Sequence, residues 1–147
     1  MTKITEIRIK LMEDSSERLK AFCSITFEGN FVVHDLKVIE SNNGIIISMP
    51  SRKVMDKCPK CYSRNHLLAR FCNQCGEKLK ENRAICDTNG RPIIFSDLAH
   101  PITSHCRRTI EYYVLKAYYK EIEDSKQPDY ISHYDDYRKD RVLTKAQ

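Results

Sequence analysis

No stretch of this chain approaches the roughly 18 apolar residues that a membrane-spanning helix needs. The N-terminus also lacks the apolar core of a secretion signal, because charged and apolar residues alternate from Lys3 onward. Internal repeats are absent apart from two short cysteine pairs. These absences argue against a membrane-embedded or secreted protein and lead to the expectation of a cytoplasmic one.

The 147 residues suffice for one compact domain with a small appendage, and a hydrophobic content of 41% supports a modest core. Seven cysteines are an odd number, which in a secreted chain would leave one thiol unpaired. In a reducing compartment disulfides are rare, and closely spaced cysteines more often bind metal.

Net charge is +5, but the excess is local. Ser51 to Arg83 holds Arg52, Lys53, Lys57, Lys60, Arg64, Arg70, Lys78, Lys80 and Arg83 against only Asp56, Glu77 and Glu81, a balance of +6. The rest of the chain sums to −1.

Alternation sets the expected strands. Ile7, Ile9 and Leu11 alternate with Arg8 and Lys10, and Leu19, Ala21, Cys23, Ile25 and Phe27 repeat the pattern. Glu28-Gly29-Asn30 is a turn, and Phe31 to Ile39 is rich in branched and aromatic residues. Asn42-Asn43-Gly44 carries the Asn-Gly hairpin signal. Ile45-Ile46-Ile47 is apolar on both faces and is expected to be a central strand. Short connections make this an antiparallel meander.

Beyond the cysteines, Pro92-Ile93-Ile94-Phe95 suggests a further strand. Thr103 or Ser104 can cap a helix after Pro101 that runs to about Asp124. Ile110, Tyr113, Val114, Ala117 and Tyr118 form its apolar face, and Tyr112, Leu115, Tyr119 and Ile122 widen it. Such a helix asks for two neighbours, one of which a dimer partner can supply. The polar tail to Gln147 is expected to be partly disordered or briefly helical.

Cys58-Pro59-Lys60-Cys61 and Cys72-Asn73-Gln74-Cys75-Gly76 have the form of two metal knuckles. Four thiolates at about 2.3 Å fill a tetrahedral shell and leave no open position, so Cys58, Cys61, Cys72 and Cys75 are expected to hold one structural ion per chain. Two disulfides or a redox pair fit a reducing compartment poorly, whereas iron accepts the same ligands. The run Phe71 to Leu79 resembles the second half of common small zinc ribbons, which favours zinc.

The basic residues around the knuckles, with Tyr62, His66 and Phe71 interleaved, suit phosphate neutralisation and base stacking. A solvated charged surface is the alternative. His34, Asp35, Asp97 and His100 offer metallohydrolase-type donors, but a hydrogen-bonded polar network is the simpler reading. No catalytic residue is assigned. Cys86 and Cys106 are isolated, and Cys23 alternates with core residues.

Two separated blocks carry a resemblance. The first runs Phe31-Val32-Val33-His34-Asp35-Leu36-Lys37-Val38-Ile39, then Asn42-Asn43-Gly44, then Met49-Pro50-Ser51-Arg52-Lys53. The second is Asp97-Leu98-Ala99-His100-Pro101-Ile102, followed by Ser104 and Arg107. Together they closely resemble the SpoVG family, the stage V sporulation protein G or septation regulators of bacteria. The resemblance implies an α+β fold: an antiparallel β-meander packed by a long C-terminal helix, dimerising through its sheet. It also implies a regulator that binds DNA or RNA, is linked to septation, cell division or sporulation, and has neither enzymatic activity nor a small-molecule substrate.

The family's basic pair falls on Arg52 and Lys53, to which nucleic-acid contact is carried over. Arg107 and Arg108 are further candidates, and the ribbon contributes Lys57, Lys60, Arg64 and Arg70. The chain departs from the pattern where residues from about 54 to 91 replace a short link. The expected organisation is therefore a discontinuous domain over 1–53 and 84–124, an inserted zinc ribbon over 54–83 and a polar tail over 125–147. An alternative is a zinc-ribbon protein-interaction module without direct nucleic-acid function.

Overall fold

Alternating apolar side chains build four strands: β1 (Ile4–Leu11), β2 (Leu19–Phe27), β3 (Phe31–Ser41) and β4 (Gly44–Ser48). The computed structural model describes residues 3–14 and 16–136. These strands form one antiparallel sheet in the order β1-β2-β3-β4, the meander expected from the short connections. The β2–β3 hairpin turns through Glu28 and Gly29, both at positive φ, a twist that suits tight hairpins. A further positive φ, at Asp35, marks a bulge where Cys23 pairs with Leu36 but Ile25 pairs with Val33.

Helix α1 (Ser104–Ser125) covers one face of this sheet. The Thr103 hydroxyl caps it by accepting from the Cys106 amide at 3.1 Å. Its buried side chains, Ile110, Val114 and Tyr118, join Ile9, Ala21, Cys23, Ile25, Leu36, Val38 and Ile47 in a single core. The fold class is thus α+β.

The sequence pattern misplaces some elements. Ile45–Ile47 lies in β4 at the sheet edge, not the centre, because a meander puts its last strand outermost. Ile47 is buried there and Ile46 is exposed. On α1, Tyr112, Tyr113 and Tyr119 face solvent, and the sheet takes up only the arc around Ile110, Val114 and Tyr118. Among the described residues no helix is long and apolar enough to cross a membrane.

The chain divides into two compact units, one of residues 1–50 with 99–147, the other Ser51–Leu98. The second is broader than the segment marked by the cysteines. It contains β5 (Ser51–Lys53) paired with β8 (Phe95–Asp97), and β6 (Met55–Lys57) paired with β7 (Arg64–His66). The strand expected from Pro92 therefore begins at Phe95. Ile85–Ile93 forms a further turn in which the Asp87 carboxylate accepts from the amides of Asn89 and Arg91, both at 2.9 Å. Arg83 ties this unit together: it pairs with Asp56 at 2.7 Å and donates to the carbonyls of His66, Ala69 and Lys80.

The tail, expected to be partly disordered or briefly helical, makes specific contacts as far as Asp136; Tyr137 and later residues lie outside the described ones. The Tyr130 hydroxyl donates to Glu121 at 2.5 Å. Tyr134 is buried, and its hydroxyl donates to Asp35 at 3.3 Å. Lys10 pairs with Asp135 at 3.2 Å, and Arg8 donates to the His133 carbonyl at 3.3 Å. Glu121 lies on α1, and the other partners lie on β1 and at the β3 bulge.

Burial, together with the adjacent Glu121 carboxylate, pushes the Tyr130 phenol up to about 12. Burial, with the Asp35 charge beside it, does the same for Tyr134. The folded state then holds these protons more tightly than the unfolded chain does. Tail docking should be constant below the ordinary tyrosine value of about 10 and weaken as pH rises from there toward about 12. Tyrosinate absorbance during an alkaline titration should show a late-ionising class that merges with the rest in denaturant; a single class in the native protein would contradict the docked tail.

Candidate functional site

Each cysteine pair closes the same tight turn. Tyr62 donates its amide to the Cys58 carbonyl at 2.9 Å, and Gly76 donates to the Cys72 carbonyl at 3.0 Å. The amides of Cys58 and Cys72 in turn reach the carbonyls of Ser63 and Glu77, both at 2.8 Å. The residue after each pair must adopt positive φ, 63° at Tyr62 and 80° at Gly76. Glycine does so without steric cost, whereas tyrosine carries strain of order 1 kcal/mol. The two knuckles are therefore equivalent in backbone but not in sequence.

The four sulfurs all lie within 4.8 Å of one another, with Cys58 and Cys75 at 3.7 Å and Cys61 and Cys72 at 3.5 Å. Tetrahedral ligation at about 2.3 Å would separate sulfurs by roughly 3.8 Å, so the set fits a four-coordinate ion. Cys58 and Cys72 are buried with Leu79, Cys61 is half-buried and Cys75 is exposed. The four cysteines can thus hold a metal ion. An ion held by all four would have no vacant position, which suits a structural role.

Donors converge on the sulfurs. The amides of Gln74 and Cys75 reach Cys72 Sγ at 3.4 and 3.5 Å, and the Lys60 amide reaches Cys58 Sγ at 3.4 Å. The Ser63 hydroxyl sits 2.9 Å from Cys61 Sγ and 3.2 Å from Cys72 Sγ. That hydroxyl, followed by the Cys75 amide, lowers the Cys72 thiol to about 5. Cys75 moves the other way: against a lowering bond from the Glu77 amide, desolvation and the neighbouring thiols push it up to about 12. Thiols so close resist sharing negative charge, and a divalent cation removes that conflict.

Sequence reasoning missed Asn65. It is 3% exposed; its amide nitrogen donates to Ser63 O at 3.2 Å and Cys72 Sγ at 3.4 Å, and its oxygen accepts from the Asn73 amide at 2.8 Å. One side chain thus joins the loop after the first knuckle to the start of the second. Nothing in its spacing announces this, because the role depends on β6–β7 pairing. Replacing Asn65 with leucine should weaken metal retention about 10- to 100-fold against a chromogenic chelator. Unaltered retention would show that Asn65 does not support the site.

The nucleic-acid candidates divide between the units. Arg52, Lys53, Lys57, Lys60, Arg64 and Arg70 lie exposed in the second, and Arg107 and Arg108 lie exposed on α1 in the first. Lys57 and Arg64 stand directly opposite each other across β6–β7. Lys60 reaches Glu77 at 3.7 Å, but among the described residues Arg52, Lys53, Lys57, Arg64 and Arg70 have no ion-pair partner. Tyr62 and Phe71 are exposed in the same unit.

The four polar residues considered for catalysis have separate surroundings. His34 and Asp35 sit at the β3 bulge, where Asp35 accepts from Tyr134. His100 Nδ1 lies 3.2 Å from the Pro101 carbonyl, and Asp97 ends β8 in the other unit. Among the described residues, only the four cysteines draw three or more metal-ligating side chains together. The first unit has an apolar cleft of about 390 Å³, lined by Ile25, Phe27, Phe31, Met49, Pro101 and Ile110 among others.

Comparison with known proteins extends over most of the chain. The SpoVG family model matches residues 2–120. A protein of Caldanaerobacter subterraneus named "Putative septation protein SpoVG" is 34% identical over 123 residues, covering 84% of this chain and 94% of that protein. Identically named proteins of Clostridium botulinum and Clostridioides difficile are each 35% identical, covering 83% and 82% of this chain and 93% and 90% of their own.

Proposed function

The chain belongs to the SpoVG family, and from that footing we propose that it is a cytoplasmic, homodimeric regulator that binds DNA or RNA in the control of septation, cell division or sporulation. The names of its relatives support the process. The single observation that carries nucleic-acid binding is the direct opposition of Lys57 and Arg64. Like charges facing each other across two strands are destabilising, so a small unit gains nothing in stability from keeping them. A polyanion would relieve that repulsion. Arg52 and Lys53, on β5 of the same unit, extend the cationic surface, and exposed Tyr62 and Phe71 offer stacking faces.

Changing Arg52 and Lys53 together to alanine should weaken binding in an electrophoretic shift assay by roughly tenfold and reduce the salt slope by about two. Equal shifts for wild type and variant, on DNA and RNA alike, would sink the assignment of these residues.

The ion of the four cysteines is zinc in this reading, one per chain and structural. Four thiolates in a tetrahedral set suit zinc, and a closed shell supplies rigidity, not reactivity. Metal analysis of purified protein should find one zinc per chain; iron in its place, or oxidised thiols without metal, would overturn it.

A second reading has an observation of its own. Leu68, Phe71, Ile85 and Phe95 are exposed apolar residues in the second unit, which suits docking of a protein partner. Nucleic-acid affinity that barely responds to salt would favour that reading, since phosphate neutralisation predicts a steep loss.

A further inference from the structure

The strand registers define the sheet face turned away from α1. One row across it runs Lys10, Phe22, Lys37 and Ser48. The next sets Arg8 beside Ser24, at the bulge that carries His34 and Asp35. An aromatic ring flanked by cations on an antiparallel sheet is the chemistry that holds single strands: the ring stacks on a base and the cations meet phosphates.

The segment lying on this face imitates such a strand. Asp135 places a carboxylate 3.2 Å from Lys10 Nζ, and the His133 carbonyl accepts from Arg8 at 3.3 Å. Between them Tyr134 is 8% exposed, with its hydroxyl on Asp35. An aromatic ring between two oxygens held by cations repeats the order phosphate, base, phosphate. The mimicry is incomplete, because Ser24 Oγ is fully buried in that row yet has no hydrogen-bond partner. The attachment is also weak: Lys10 and Asp135 are each 48% exposed, and ion pairs so open to solvent contribute little. The family model ends at residue 120, so this segment lies beyond the residues which that model matches.

We propose that the sheet face opposite α1 is a second, single-stranded nucleic-acid platform, and that His133, Tyr134 and Asp135 occupy it as an intramolecular competitor. The proposal rests on the reading that the protein binds nucleic acid, but it assigns contact to a surface other than Arg52 and Lys53. Displacing the strap releases Lys10 from Asp135 and Arg8 from the His133 carbonyl, while Arg8 keeps its pair with Glu6 and Lys37 stays exposed throughout.

The test uses the full chain with its metal and a fluorescent single-stranded oligonucleotide, beside a duplex of the same sequence. Tyr134→Ala with Asp135→Asn should raise single-strand affinity about five- to tenfold, since a competitor that fills the site lowers apparent affinity by the fraction it occupies. Duplex affinity should not change. Adding Lys10→Gln and Lys37→Gln should abolish the gain. Asp135→Lys, which repels the strap from Lys10 but keeps the buried ring, should give a gain of the same sign should the first variant fold poorly.

No gain while amide exchange shows β2 uncovered would overturn the proposal. So would an equal gain for duplex, a gain that survives the lysine changes, or self-association replacing oligonucleotide binding. Arg52→Ala with Lys53→Ala, measured in parallel, separates the two surfaces. If that pair abolishes wild-type binding while strap release adds nothing, the platform fails and the Arg52–Lys53 reading stands. If strap release adds affinity in its presence, the platform stands even where that reading has failed.

Discussion

Ile110, Val114 and Tyr118 cover one face of the four-stranded sheet, and the other face has to find its cover elsewhere. A sheet sheltered on both sides needs two partners, and this chain has one long helix. The strand sequences already carry the consequence. Ser24 and Thr26 are buried on the side away from the helix, in strands whose alternation would otherwise place polar residues in solvent. The tail meets this face at Arg8 and Lys10 on β1 and at Asp35 on the β3 bulge, through His133, Asp135 and Tyr134.

The second unit obeys a different constraint. Among the described residues its buried apolar cluster is Cys58, Cys72 and Leu79, with Cys61 and Ala69 against it and Leu67 buried apart from it. So small a core cannot offset the entropy of ordering its backbone, and segments of this size usually rely on a metal or disulfides. Here the thiols are free and drawn together. Arg83 adds the other long-range tie by joining Asp56 to three carbonyls. The first unit therefore stands on apolar burial, while the second has four clustered thiols that can hold a metal ion and one arginine.

Much of this was legible in the residues. Alternation located β1 to β3, Thr103 marked the helix start, and the paired cysteines marked the four side chains that cluster. What failed did so for identifiable reasons. Ile45-Ile46-Ile47 reads as a buried strand because periodicity cannot tell a central strand from an edge strand with one exposed isoleucine. The tail reads as loose because its contacts, Arg8 with His133 and Lys10 with Asp135, span most of the chain and leave no local pattern. Asn65 is silent in sequence because a buried amide gains its role only when β6–β7 pairing brings it to Cys72. Tyr62 could have been found: it occupies the position after the first pair that Gly76 occupies after the second.

An ion held by the four cysteines would also set the charge of the second unit. Four thiolates and a divalent ion sum to −2, against a basic excess of +6 over Ser51–Arg83. About +4 therefore remains for the surface, provided the ion is bound. Without it, the coupled thiols would hold fewer negative charges, but the turns that place Lys57 opposite Arg64 would lose their anchor. Binding the ion lowers the net charge of the unit while fixing where its cations stand. For a phosphate-binding surface the second effect outweighs the first, because neutralisation depends on cations held at phosphate spacing more than on their total. An ion bound by the four thiolates would thus set where these cations stand without itself touching a ligand.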